Sequence, residues 1–260
     1  MALTLATTFR CQYPTRILAC RSSPASSPAS TSSTSQLQQF VNCVLNEPSN
    51  LTGAKSETAA RAELVSDSLA LLSSLLPQSS SSGASRPPSL SRVVDIGSGA
   101  GAPGIPLAIS LPLTEFTLVE PRKKRADFIS RVASEHLRLP NVTVLRSRAE
   151  DLARDEILRE RFDAAVAKAV APLPALAELC LPFVAVGGRL VASKGSRASE
   201  EVIDATNAIE SLGGSSESVE EHKYKEGCSR SRSIVVVHKA RESPSRFPRK
   251  TGTCQKRPIR

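Results

Sequence analysis

Apolar positions in the second half of the chain fall into short β-branched runs, each followed by a longer stretch with helical spacing. The strand candidates are Val93-Val94-Asp95-Ile96, Phe116 to Glu120, Val142 to Leu145, Ala164 to Ala167, Arg189 to Ser193 and Ser233 to Val237. Between them lie stretches such as Ala126 to Leu139, where Phe128, Ile129, Val132, Ala133 and Leu137 share one side. Strand and helix in alternation predict an α/β domain with a doubly wound, mostly parallel sheet. Ligands of such sheets sit at the carboxyl ends of the strands, near the point where strand order reverses. Upstream, Gln36 to Leu45 and Lys55 to Leu76 also show helix-like spacing. Leu64, Val65, Leu69, Leu71, Leu72 and Leu76 line one broad face there, predicting a short N-terminal helical region.

Composition then divides the 260 residues. The first 46 contain no Asp or Glu, carry Arg10, Arg16 and Arg21, and run through a Ser/Thr/Ala/Pro tract. They read as an organelle transit peptide, plastid in preference to mitochondrion, with a plain disordered leader as the alternative. Residues 47–77 are the short helical region, 78–91 a Ser/Gly/Pro linker, 92–239 the main domain and 240–260 a basic tail. The longest apolar stretches, such as Leu179 to Val186, fall far short of the roughly 20 residues that a bilayer requires, so no membrane partner is expected.

The formal charge of +9 is concentrated at the ends. From Lys239 to Arg260 eight basic residues face Glu242 alone, and residues 47–238 are near neutral. Such a tail can neutralise phosphates and release counterions, the alternative being a solvated end. The six cysteines (Cys11, Cys20, Cys43, Cys180, Cys228, Cys254) show no CxxC spacing and no histidine at ligand distance. Neither a metal nor a disulfide framework is expected. Cys11 and Cys20 leave with the leader, and Cys43 lies within its span.

The most informative run is Val93-Val94-Asp95-Ile96-Gly97-Ser98-Gly99-Ala100-Gly101-Ala102-Pro103-Gly104, a buried strand that breaks into glycines and enters a helix. Gly99 to Gly104 also fits the GxGxxG of dinucleotide binders, a weak signal alone. Asp95 tilts the choice: a carboxylate two residues before the first glycine can take up the amino-acid end of S-adenosylmethionine but would repel a pyrophosphate. The glycines also begin immediately after the strand, as in class I methyltransferases. Glu120, at the tip of the second strand, suits a pair of ribose hydroxyls and leaves NAD open. After the third strand, Ser147-Arg148-Ala149-Glu150-Asp151 stands where an adenine amino group finds an acceptor, or is simply an acidic helix start.

Several stretches together resemble the small-subunit (16S) rRNA guanine-N7 methyltransferases known as RsmG or GidB, and their plant organelle counterparts. They include Asn50-Leu51-Thr52, Asp67 to Leu72, Val94 to Leu107, Phe116 to Glu120 with Lys123-Lys124 and Phe128, Ser147 to Glu150, Pro182 to Gly195 and Phe247 to Lys250. The most specific is Gly101-Ala102-Pro103-Gly104-Ile105-Pro106. The resemblance implies a Rossmann-like class I fold, S-adenosylmethionine as cofactor, and cofactor contacts at Gly97, Ala102, Ala149, Glu150 and Lys168, joined by Asp95, Gly99, Gly101 and Glu120 from the residues themselves. Lys168 stands where the family has arginine, whose planar fork an ammonium cannot copy. Leu64 stands where it has histidine. These departures motivate a second reading, a non-catalytic RNA-binding or ribosome assembly factor on the same fold.

Guanine N7 is a lone-pair acceptor, so its methylation needs no general base, and no catalytic acid or base is expected. The segment Ala167-Lys168-Ala169-Val170-Ala171-Pro172 lacks the Asn/Asp-Pro-Pro-aromatic loop that exocyclic amine methylation uses. Cys180, the best-placed thiol, sits in an apolar helical run and reads as core. The expected partner is small-subunit rRNA or an assembling small ribosomal subunit, bound by a monomer through Arg122, Lys123, Lys124 and Arg125 beside the pocket and through Arg230, Arg232, Arg246, Arg249 and Lys250. His136, His222 and His238 show no partnering pattern.

Overall fold

The computed structural model describes residues 33–49, 51–54, 56–76, 90–222 and 232–259. The first 32 residues, most of the 78–91 linker, Arg230 and Cys228 lie outside them, as do Cys11 and Cys20.

Seven strands form the sheet: β1 Arg92–Ile96, β2 Glu115–Val119, β3 Val142–Leu145, β4 Phe162–Lys168, β5 Val184–Lys194, β6 Gly214–His222 and β7 Arg232–Lys239. Their order is β3-β2-β1-β4-β5-β7-β6. The first five run parallel, while β7 pairs antiparallel with β5 and with β6. The predicted doubly wound, mostly parallel sheet is therefore present, with its order reversing between β1 and β4. Strand β6 is an addition to the predicted set. It is an edge strand reading Gly-Ser-Ser-Glu-Ser-Val-Glu-Glu-His, and with one paired side it needs no apolar run.

Alternation along the strands divides the core in two. Val93, Ala164, Val166, Val191, Ile234 and Val236 point to one face, and Val94, Ala165, Ala167, Leu190, Val235 and Val237 to the other. Helix Gly104–Ser110 and helix Lys123–Arg131, extended by a π-helical turn Val132–His136, cover the first face. The second lies under helix Leu173–Cys180 and helix Ala198–Ser211.

Both ends of the expected domain division change. Helix Ser33–Leu45 places Leu37, Phe40, Val41 and Val44 in the first core, so the folded body already includes Ser33 and the expected leader boundary at residue 46 is too late. Cys43 lies on this helix, half-buried, and stays with the body. The following segment, helix Glu57–Arg61, a π-helical turn Ala62–Ser66 and helix Asp67–Leu69, packs Ala60, Leu64 and Val65 into the same core rather than forming a separate region. Leu64, where the resembled family has histidine, is ordinary core. At the other end, residues 240–259 are folded onto the domain, with Phe247 and Cys254 buried in the second core. Arg159 fastens them, donating to the carbonyls of Ser243 (2.7 Å) and Phe247 (2.8 Å). Cys180 is fully buried, and burial pushes its thiol far up, in keeping with a core role.

Candidate functional site

Strand β1 ends in a loop whose three glycines, Gly97, Gly99 and Gly101, all have positive φ (74°, 59° and 97°), a conformation that side chains rarely adopt. The loop is stitched to the end of β2: the Gly97 and Ser98 amides donate to the Val119 carbonyl at 2.9 and 3.2 Å. It is also backed from both sides. A Cβ on Gly97 would stand 3.0 Å from Val170, and one on Gly101 would meet Ile105 at 3.0 Å and Phe40 at 3.4 Å. Helix Ser33–Leu45 thus supports the glycine loop directly.

Asp95 is completely buried under this loop. Its Oδ2 accepts from the Gly104 amide at 3.0 Å, while Oδ1 has no hydrogen-bond partner among the described residues. Burial raises the Asp95 carboxyl to about 7, with the neighbouring Ser98 hydroxyl, then the Gly104 amide and Lys168, acting in the opposite direction. Gly104 must be glycine here, since a Cβ would sit 2.7 Å from Asp95 Oδ2 and 2.8 Å from Leu118.

Glu120, equally sheltered at the tip of β2, is aimed by two backbone donors: Gly99 N–H on Oε2 at 3.0 Å and Arg122 N–H on Oε1 at 2.8 Å. Each oxygen keeps a lone pair for a further donor. The chemistry of this donor set fits the expected cofactor. An orphaned buried carboxylate oxygen suits an ammonium, an aimed second carboxylate suits ribose hydroxyls, and both would repel a pyrophosphate.

Lys168 ends β4 across the strand-order reversal from Asp95. Its ammonium, half-buried, donates to the Glu63 carbonyl at 2.6 Å. Burial lowers its proton affinity, and Asp67 and Glu63 act to restore it. Ala149 and Glu150 begin helix Ala149–Leu152 as expected. The Glu150 carboxylate, however, accepts from the Gly252 amide at 2.8 Å, and Asp151 accepts from the Thr251 hydroxyl at 2.6 Å. These acids hold the C-terminal segment, a contact about a hundred residues away in sequence and invisible to local spacing.

Beside this site, at the carboxyl ends of β4 and β5, opens a cavity of about 440 Å³ that sequence reasoning missed. Val170, the neighbour of Gly97, lines it with Lys194, Arg197, Glu200, Glu201 and Asp204. Lys194 is held by Glu201 (2.6 Å) and the Ala171 carbonyl (2.8 Å). Ala169 adopts φ +55° at its rim, a left-handed conformation uncommon outside glycine. The available signal was the Lys194-Gly195 pair, together with the i, i+3, i+4, i+7 spacing of 197, 200, 201 and 204. A smaller cavity of about 270 Å³ between helix Ser33–Leu45 and Phe128, Arg131 and His136 shares no residue with this one.

The cations expected to hold RNA separate into two groups. Arg122, Lys123 and Lys124 are exposed and Arg125 half-buried, at the start of the helix that follows Glu120. Arg246 and Lys250 are exposed as well. Two others are corrected. Arg249 grips the buried Glu178 through Nε (3.0 Å), Nη2 (2.6 Å) and its backbone amide (2.7 Å). Arg232, mostly buried, faces Asp67 at 3.3 Å. Both guanidinium groups balance interior carboxylates, a demand that the sequence could not reveal.

A family model described as GidB, rRNA small subunit methyltransferase G, matches residues 33–234. Among curated relatives, each named ribosomal RNA small subunit methyltransferase G, the protein of Alkaliphilus metalliredigens is 37% identical over 228 residues, covering 86% of this chain and 90% of its own. That of Clostridium perfringens (strain SM101) is 42% identical over 168 residues, 65% and 70% of the two chains. That of Brevibacillus brevis is 44% identical over 167 residues, 64% and 69%.

Proposed function

The chain belongs to the GidB family, and from that premise we propose that it methylates guanine N7 in small-subunit rRNA with S-adenosylmethionine as donor. The observation that carries this reading is the family match from residue 33 to 234, a span that contains the glycine loop, Asp95, Glu120 and Lys168. S-adenosylmethionine supplies an electrophilic methyl group on a sulfonium.

The chain's residues supply position. Asp95 Oδ1 would accept from the donor's ammonium, Lys168 would balance its carboxylate, and Glu120 would accept from its ribose hydroxyls. Gly97, Gly99, Gly101 and Ala102 would let the backbone pass close to the ligand, and Ala149 and Glu150 would border its adenine end. The cavity of about 440 Å³ beside this site, at the carboxyl ends of β4 and β5, would give a nucleobase room within the usual range for small-ligand sites. N7 carries its lone pair ready, so alignment is the main contribution asked of the protein. An unpaired or accessible guanine is required.

The test is transfer of label from radioactive S-adenosylmethionine to small-subunit rRNA or particles that lack the modification. Nuclease digestion is expected to release 7-methylguanosine. Cofactor binding without transfer would instead favour the non-catalytic assembly factor. The acid-free, arginine-bearing stretch before Ser33 supports import into an organelle, the plastid in the first instance. A fluorescent protein fused behind residues 1–32 is expected to accumulate there, and a diffuse signal would reject it.

A further inference from the structure

Asp67 is 1% exposed, yet among the described residues neither of its carboxylate oxygens has a hydrogen-bond partner. Among the described residues its ion-pair partner is Arg232, with Nε 3.3 Å away but without hydrogen-bond geometry. Arg232 balances its charge but donates no hydrogen bond to it, and a buried carboxylate without hydrogen bonds is costly. Its surroundings offer an explanation. The segment carrying Asp67 also carries Glu63, whose carbonyl accepts from Lys168 at 2.6 Å. Lys168 in turn ends β4, two residues beyond the register partner of Asp95, whose charge acts on it.

We propose that Asp67 is a positioning residue for the cofactor: acting through Lys168, it makes the N-terminal helical segment part of the site that holds the donor's amino-acid end. The inference rests on the cofactor reading above. Four charged groups from three elements face Lys168: Asp67 and Glu63 on the N-terminal segment, Arg232 at the start of β7, and Asp95 on β1. Burial and Arg232 favour the neutral amine, whereas Asp67, Glu63 and Asp95 favour the ammonium, Asp67 most among them. An arginine at this position would need no such help, because a guanidinium stays protonated whatever surrounds it. A lysine does need it, and the N-terminal segment provides both the carboxylate that keeps the charge and the carbonyl that fixes the nitrogen.

The experiment is calorimetric titration of the full chain with S-adenosylhomocysteine from about pH 6.5 to 9.5, for the parent, Asp67→Asn, Lys168→Arg and the double variant. The sign follows from Lys168 binding as a cation: affinity falls as pH rises through its folded pKa, which lies below the ordinary lysine value. Asp67→Asn lowers that pKa further, so its affinity is expected to drop at lower pH. Toward the alkaline end of the range it should be up to about tenfold weaker than the parent's, because less of the variant's Lys168 keeps its proton there. Near pH 6.5 the two converge. Adding Lys168→Arg to Asp67→Asn restores the alkaline affinity, and the ligand's own amino group titrates alike in all four proteins. A merely structural role would weaken binding equally at every pH, lower the melting temperature and resist rescue, and that pattern overturns the proposal, as does an unchanged profile. Should Asp67→Asn fail to fold, Lys168→Arg alone decides, since it is expected to bind more tightly than the parent at alkaline pH and equal profiles would reject the idea. Absence of binding by the parent overturns the cofactor reading itself, a result distinct from any change in profile.

Discussion

A carboxylate with no exposed surface, one backbone donor and one orphaned oxygen has every physical reason to hold its proton, and Asp95 is raised to about 7 for that reason. Because its folded pKa exceeds the unfolded one, the native state keeps a proton that the unfolded chain gives up above about pH 4. Stability in the ligand-free protein is therefore expected to fall as pH rises toward 7 and then to level off, and Asp95→Asn to remove that component. An incoming ammonium reverses the preference. Between about pH 5 and 7, where the donor's amino group is already charged, binding should expel the Asp95 proton. Calorimetry in two buffers of different ionisation enthalpy reads this release directly, and Asp95→Asn should bind more weakly without it. Equal proton counts from the two proteins would remove Asp95 from the ammonium site. At this scale the sequence was legible where the chemistry was local: Asp95, the glycines and Glu120 lie within 26 consecutive residues. The dependence of Lys168 on Asp67 joins positions a hundred residues apart, and no spacing rule reaches that far.

Elements were legible where hydrophobic period and burial agreed. Strands β1, β4, β5 and β7 carry apolar residues on both faces because both are covered, which is what makes them visible as runs, while β2 and β3 show through their alternating apolar positions. Edge strand β6 lacks that requirement and was missed. Helix Ser33–Leu45 shows the reverse error, since its helical spacing was plain but its acid-free flank drew it into the leader. The C-terminal segment was misjudged for another reason: basic composition suggested a solvated arm, while Glu178 on helix Leu173–Cys180 needed a cation in the interior. Arg249→Ala leaves that carboxylate, 1% exposed, without its guanidinium, and should destabilise the fold by about 3 kcal/mol or more. Denaturant midpoints measure this. Glu178→Gln in the same background should recover part of the loss, because the stranded charge is then gone. A loss below about 1 kcal/mol in the single variant would mean that the pair is solvated in practice.

Across the whole molecule, the expected RNA-binding charge separates into cations that hold the protein together and cations that remain at its surface. Arg232 and Arg249 belong to the first group, and truncating the chain at residue 240 would remove core residues Phe247 and Cys254 along with any RNA contact. Arg122, Lys123, Lys124 and Arg125 belong to the second, directly beyond the Glu120 carboxylate that edges the cofactor site. Their charges oppose the dipole at the start of helix Lys123–Arg131, an arrangement that nothing in helix stability favours. Lys123 is partly neutralised by Asp127 at 2.5 Å. Arg122 and Lys124 are then the exposed pair best able to take phosphates. Replacing both with alanine leaves the Arg122 backbone amide on Glu120, so cofactor affinity and melting temperature should stay near the parent's. Affinity for small-subunit rRNA should fall, and the slope of log K against log salt should decrease by roughly 1 for each phosphate that the variant no longer neutralises. Arg249→Ala, assayed well below its melting temperature, should leave that slope unchanged. If the slopes respond the other way round, the RNA runs over the C-terminal segment and the cluster beside Glu120 is an ordinary solvated helix start.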